Sequence, residues 1–138
     1  MLPECNLETL SLSHNPILDE GCKYIAEQLP LCNLFSLHLS GCNIKIEGCF
    51  SISSNLLNSN LQCLDLSKND IGDMGFLMFC DLKDIKYTKL NYINLQWNKV
   101  SVEIMLDSLL VDNLAEEFKK NGITLLADNA MSVRQESI

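Results

Sequence analysis

Three residues with the side chains of a hydrolytic relay stand at equal intervals in this chain: Ser11, His38 and Asp65, each 27 residues from the next. In that order they offer a hydroxyl nucleophile, an imidazole base and a carboxylate to orient it. If the interval is the period of a strand repeat, the three lie at one register on neighbouring parallel strands, about 4.8 Å apart, and His38 can meet Asp65. An open strand surface, however, supplies no oxyanion hole, no pocket and no exclusion of water, all of which acyl transfer needs. A solvated polar ladder is therefore expected in place of a catalytic triad, and the chain is not expected to be an enzyme. Metal chemistry is no better provided for. The seven cysteines form no Cys-x-x-Cys pair and none of the spacings that close a zinc site, so neither a metal nor a cofactor is expected.

The elements that carry these residues are repeats. Leu7 to Asn15 reads LETLSLSHN, Leu34 to Cys42 reads LFSLHLSGC, Leu61 to Asn69 reads LQCLDLSKN and Leu90 to Asn98 reads LNYINLQWN. Ile17, Ile44, Ile71 and Val100 follow two residues after each segment, which gives L-x-x-L-x-L-x-x-(N/C)-x-(L/I/V), with Ile93 in place of one Leu. The copies start 27, 27 and 29 residues apart, in the range of leucine-rich repeats. Over about residues 2–126 the chain resembles the ribonuclease-inhibitor-like subfamily of leucine-rich repeat proteins, shared by ribonuclease inhibitors, the sensor ends of NOD-like receptors and Ran GTPase-activating proteins. The resemblance implies an α/β solenoid, a short right-handed arc of about four strand-turn-helix repeats with a parallel inner sheet. It also implies a structural role for Asn15, Cys42, Asn69 and Asn98, whose side chains would turn inward and hydrogen-bond the loop backbone; the thiol of Cys42 is a weaker donor that fits the same slot.

The second half of each repeat reads as a helix. Asn15 to Gly21 and Asn69 to Gly75 share N-x-I-x-D-x-G, and Gly48 keeps the glycine in the second copy. Asp19 and Asp73 are expected to cap helix N-termini, with the glycines allowing close approach to the strand layer. Apolar residues then recur at helical spacing, as in Cys22, Ile25, Ala26 and Leu29. Cys5 and Cys32 precede strand leucines, and Cys22 and Cys49 sit in first helical turns, so they read as core residues.

Both ends depart from the pattern. In the fourth repeat Ile104 takes the glycine position and no Asp cap is present. A longer helix follows, with Leu106, Leu109, Leu110, Leu114 and Phe118 close to one face and Asn121-Gly122 as its stop, and Ile123 to Leu125 imitates a strand. The expected division is a repeat domain over 1–126, with repeats near 2–30, 31–57, 58–86 and 87–126 including a C-terminal closing helix, and a polar tail over 127–138. At the start, Leu2-Pro3-x-Cys5-Asn6-Leu7 repeats Leu29-Pro30-x-Cys32-Asn33-Leu34, the end of a helix, and no cap is visible. An uncapped solenoid end exposes an apolar layer. Self-association through that end, or membership of a longer repeat protein, is expected.

On the implied arc the residues between the leucines face solvent and form rows: Glu8, Phe35, Gln62, Asn91; Thr9, Ser36, Cys63, Tyr92; Ser11, His38, Asp65, Asn94; Ser13, Ser40, Ser67, Gln96; and His14, Gly41, Lys68, Trp97. Phe35, Tyr92 and Trp97 are the aromatic anchors such an interface needs, and His38, Asp65, Lys68 and Asn94 complete the candidate partner-binding set. The serine row is read as structural.

The function that follows is a protein–protein interaction module using the inner strand face. The Ran activators imply the alternative, GTPase regulation, which single-turnover GTP hydrolysis with and without the chain would test. A formal charge of −8 argues against nucleic acid and favours a basic protein partner. No apolar run reaches the ~18 residues of a membrane span, the start lacks a signal-peptide pattern, and the odd cysteine count fits a reducing compartment, so a cytoplasmic location is expected. Abundant Asn and Ile suit an AT-rich genome, in which setting a secreted effector of an intracellular microbe is the alternative.

Overall fold

The computed structural model describes residues 6–81, 87–101, 103–104 and 108–128. Five short strands, β1 (Thr9–Ser11), β2 (Ser36–His38), β3 (Cys63–Asp65), β4 (Tyr92–Asn94) and β5 (Thr124–Leu126), pair in parallel in chain order. The helices between them are α1 (Leu18–Gln28), α2 (Ile46–Leu56), α3 (Gly72–Phe79) and α4 (Ser108–Lys120). Parallel neighbours need a crossover, and here each crossover contains a helix, so one repeat adds one strand and one helical layer. The expected α/β leucine-rich repeat solenoid is what forms.

Register follows the leucines. Leu10, Leu37, Leu64, Ile93 and Leu125 are successive Cα partners across the sheet. Of these Leu37, Leu64 and Ile93 are fully buried, as are Leu39 and Leu66 two residues on, because alternate strand positions share a face. Helix residues Cys22, Ala26, Cys49, Ile52, Phe76 and Phe79 close the core from the other side. Burial of this extent removes each large side chain from water at roughly 2–3 kcal/mol apiece.

The closing unit is a full structural layer. α4 ends in a Schellman motif: the amide of Ile123 donates to Phe118 O, that of Gly122 donates to Lys119 O, and Gly122 supplies the left-handed residue at φ 75°. Phe118 and Ile123 are buried, and Leu114 packs partly against the core. Leu106 lies outside the described residues, as do the side chains of Leu109 and Leu110. Ala127 and Asp128, which the sequence reading placed in the polar tail, belong to the folded body: Ala127 packs on the core and Asp128 is buried. Residues 129–138 lie outside the description, as does Cys5.

A second difference concerns Asp19 and Asp73. Neither caps its own helix; each already lies in the first turn. Asp19 Oδ1 accepts the amide of Lys45, and Asp73 Oδ1 that of Ser101, so each carboxylate holds the loop of the following repeat. The loops accordingly alternate. Repeats 1 and 3 place their left-handed residue three positions after the asparagine (Leu18, Gly72), whereas repeats 2 and 4 place it one position after the Asn/Cys site (Asn43, Lys99).

Candidate functional site

The strand face is organised by two internal ladders. In the first, Asn69 Nδ2 donates to Leu39 O, Leu66 O and Ser67 O, while its Oδ1 accepts the amides of Cys42 and Ile44. Asn98 repeats the pattern one step on, with Nδ2 on Leu66 O, Leu95 O and Gln96 O and Oδ1 accepting from Ile71 N. The Cys42 thiol reaches back to Leu12 O at 3.2 Å in the same slot. Among the described residues Asn15 has only local partners, Leu12 O and Ser13 O, and it is exposed. The side-chain contacts of Cys42, Asn69 and Asn98 thus cross between repeats, and the described contacts of Asn15 stay in its own loop. In the second ladder Ser13 Oγ accepts the amide of Ser40, and the hydroxyls of Ser40 and Ser67 lie 2.9 Å apart, so this row links neighbouring repeats.

The candidate residues stand in and beside the strands. Phe35 is 41% exposed. Tyr92 and Trp97 are half-buried and Lys68 is exposed. His14, Gly41, Lys68 and Trp97 all leave their strands in left-handed conformation, φ 58–65°, which costs a non-glycine residue ~1 kcal/mol or more. What holds them there is the next repeat: the amides of His14, Gly41 and Lys68 donate to Ser40 O, Ser67 O and Gln96 O. The Trp97 amide donates to a side chain instead, Asp128 Oδ2 at 2.8 Å. Sequence reasoning missed Asp128, although an acid two residues beyond a terminal strand was a visible signal. Its burial raises its pKa, an effect partly opposed by the Trp97 amide, and its Oδ1 has no hydrogen-bond partner among the described residues.

The apparent relay resolves differently from the 27-residue arithmetic. Ser11, His38 and Asp65 are successive partners in the sheet, but the hydroxyl on the imidazole belongs to Ser36, two residues along the same strand, with Oγ 2.9 Å from His38 Nε2. Period-two alternation was the signal for it. His38 Nδ1 stands 3.9 Å from Asp65 Oδ2, beyond hydrogen-bond range, and Asp65 Oδ1 accepts from both Ser67 N and Ser67 Oγ. Asn94 Oδ1 accepts from Gln96 N in the same manner, so this row braces strand ends. The amides of Phe35 and Ser36 both donate to Glu8 O. A polar ladder is what these contacts form.

Elsewhere, the described residues hold no cluster of His, Cys, Asp or Glu suited to a metal. The cysteines at 22, 32, 42, 49, 63 and 80 are free thiols. Burial pushes Cys22, Cys49 and Cys80 up to about 12, which leaves them unreactive. No described helix is long and apolar enough to cross a membrane. A hollow of about 500 Å³ lies on the helix side between α2 and α3, lined by Leu57, Met74 and Leu77 among others, well away from the candidate residues.

Three segments, residues 5–26, 31–53 and 57–80, match the Leucine Rich repeat family. The chain belongs to that family. The matched segments make up half of the 138 residues and coincide with repeats 1 to 3. A comparison with curated proteins finds no match. Leucine-rich repeat domains generally mediate protein–protein interaction, and the repeat is a binding scaffold.

Proposed function

We propose that the strand face from Phe35 to Trp97 binds another protein, without catalysis, and that the chain is of the ribonuclease-inhibitor-like kind. The observation that carries the reading is the exposed Phe35, immediately ahead of β2, together with half-buried Tyr92 on β4 and the polar strand residues between them. Aromatic side chains on a face whose own hydrogen bonds are already satisfied cost solubility and add nothing to the fold, and they are the usual anchors of an interface. The repeat length of 27 to 29 residues and a helix in each crossover support the subfamily. The net charge of −8 favours a basic partner by long-range attraction, and free thiols favour a reducing compartment such as the cytoplasm.

The test compares proteins retained from native lysate by the wild type, by Phe35→Ala/Tyr92→Ala and by Phe50→Ala, which alters an exposed aromatic on the outer helix α2. The strand-face variant should lose at least one protein that the other two retain. Equal capture by all three would refute the choice of surface.

A further inference from the structure

We propose that the outer side of α1, α2 and α3 is a second interaction surface, and that it receives a basic amphipathic helix of another protein. This surface is independent of the strand face. Counted from the glycines Gly21, Gly48 and Gly75, each of the first three repeats carries the same four positions along the outer side of its helix. In α1 they are Glu20, Lys23, Tyr24 and Glu27, in the spacing i, i+3, i+4, i+7 of one helical stripe, and all four are exposed. An outer stripe of this kind is ordinarily charged or polar. α1 nearly obeys that rule, and the next two helices break it.

In repeat 2 the four positions are Glu47, Phe50, Ser51 and Ser54, and in repeat 3 they are Met74, Leu77, Met78 and Asp81. Phe50 is 63% exposed, Met74 65% and Leu77 38%, and Tyr24 on α1 is 63% exposed. Leu57, at the end of α2, is also exposed and lines the hollow between α2 and α3 with Met74 and Leu77. A second hollow, of about 460 Å³, lies against Phe50 and half-buried Met78. The core is filled by other residues of the same helices, among them Cys22, Ile52 and Phe79, so the exposed apolar side chains add little to the fold. Grouped apolar surface of this sort marks an interaction site.

Charge identifies the occupant. Glu20 and Glu47 hold the first of the four positions and Glu27 and Asp81 the last, so carboxylates border the apolar residues on both sides. Glu20, Glu27 and Glu47 are exposed and in no ion pair among the described residues, and Lys23 is the single cation at these positions. A second copy of this chain would set those carboxylates against their like, and an anionic membrane surface would be repelled by them. A helix with one apolar side bordered by lysine or arginine satisfies the apolar residues and both acidic borders at once. Neighbouring helix axes lie ~8–10 Å apart, so three helices span roughly 20 Å, the length of about 14 helical residues. The adaptable side chains of Met74 and Met78 suit such a groove.

The experiment titrates the full chain into a fluorescein-labelled synthetic peptide of about 14 residues, with leucine on one helical side and lysine on the other, and reads anisotropy. Two comparison peptides carry the same residues in an order with no apolar side, or glutamate in place of lysine. The amphipathic lysine peptide should bind roughly tenfold more tightly than either, and Phe50→Ala/Met74→Ala should weaken it roughly tenfold, as loss of anchor residues does. Glu20→Gln/Glu27→Gln/Glu47→Gln should weaken it about threefold, the range of exposed charges. All five residues are exposed, so these variants keep the fold. Phe35→Ala/Tyr92→Ala should change the affinity by less than about twofold, because those residues lie on another face. Equal affinity for the ordered and reordered peptides would reduce the binding to bulk charge and overturn the proposal. Unchanged binding by either helix-side variant would overturn it too, as would a loss confined to Phe35→Ala/Tyr92→Ala. A dimer of the chain in sedimentation that Phe50→Ala/Met74→Ala dissociates would assign the surface to a second copy and also overturn it.

Discussion

The two ends of this solenoid solve one problem differently. In the interior repeats the strand leucines are buried, Cys42 or Asn69 reaches back to the preceding repeat, and the left-handed strand-end amide donates to the following one. At the C-terminal end the missing neighbour is replaced: α4 and β5 cover the core with Phe118 and Ile123, and the Asp128 carboxylate takes the place of the carbonyl that would accept the Trp97 amide. At the N-terminal end nothing described takes that place, and Leu7, Asn15 and Leu18 are exposed. Identical motif residues thus have different energetic weight. In a nearest-neighbour architecture a side chain is worth what the adjacent repeat makes of it.

Equivalent substitutions at the two positions should break or sharpen that contrast. The largest effect is expected for Asn69→Ala, which strands two buried amides and removes a donor shared by three carbonyls; about 4 kcal/mol of stability should be lost in urea unfolding, against about 1 kcal/mol or less for the exposed Asn15→Ala. Similar losses would mean that repeat 1 is as enclosed as repeat 3. Next, Leu37→Ala should cost ~3 kcal/mol and Leu10→Ala, one strand nearer the open end, ~1–2 kcal/mol, because a half-buried site leaves less of a cavity.

A smaller effect is expected at the closed end. Burial raises the pKa of Asp128, so the folded state keeps this proton to a higher pH than the unfolded chain does. Stability from this group is then greatest where the acid is protonated in both states, and it falls as pH rises between the unfolded and the folded pKa. Asp128→Asn keeps an acceptor for the Trp97 amide without the charge, and melting temperatures across the carboxylate range should show a flatter decline than in the wild type. The smallest perturbation is chemical labelling. With thiols pushed up to about 12, Cys22, Cys49 and Cys80 should resist alkylation at pH 8 until the chain unfolds, while half-exposed Cys63 on the strand face reacts first, as peptide mass spectrometry would show. Rapid native labelling of Cys22 would mean that the first helical layer opens.

Much of the fold was legible because strand leucines repeat at a fixed interval and a helix must fill each crossover; register and core cysteines follow from that period, while the role of the asparagines came from the family resemblance. The candidate surface was legible as rows of outward residues, since strand side chains alternate. Partners within those rows were not. Equal spacing suggested Ser11 for His38, yet the contact is made by Ser36, because i and i+2 on one strand share a face as surely as equivalent positions on neighbouring strands do.

The sequence by itself determined the architecture, the order of the strands and which residues face outward, since these depend on period and polarity, which are properties of the chain. Only the tertiary structure decided that Asp19 and Asp73 latch the following repeat, that Asp128 holds the Trp97 amide, and that the described contacts of Asn15 stay in its own loop. Those facts depend on distances between repeats, and no local pattern contains a distance.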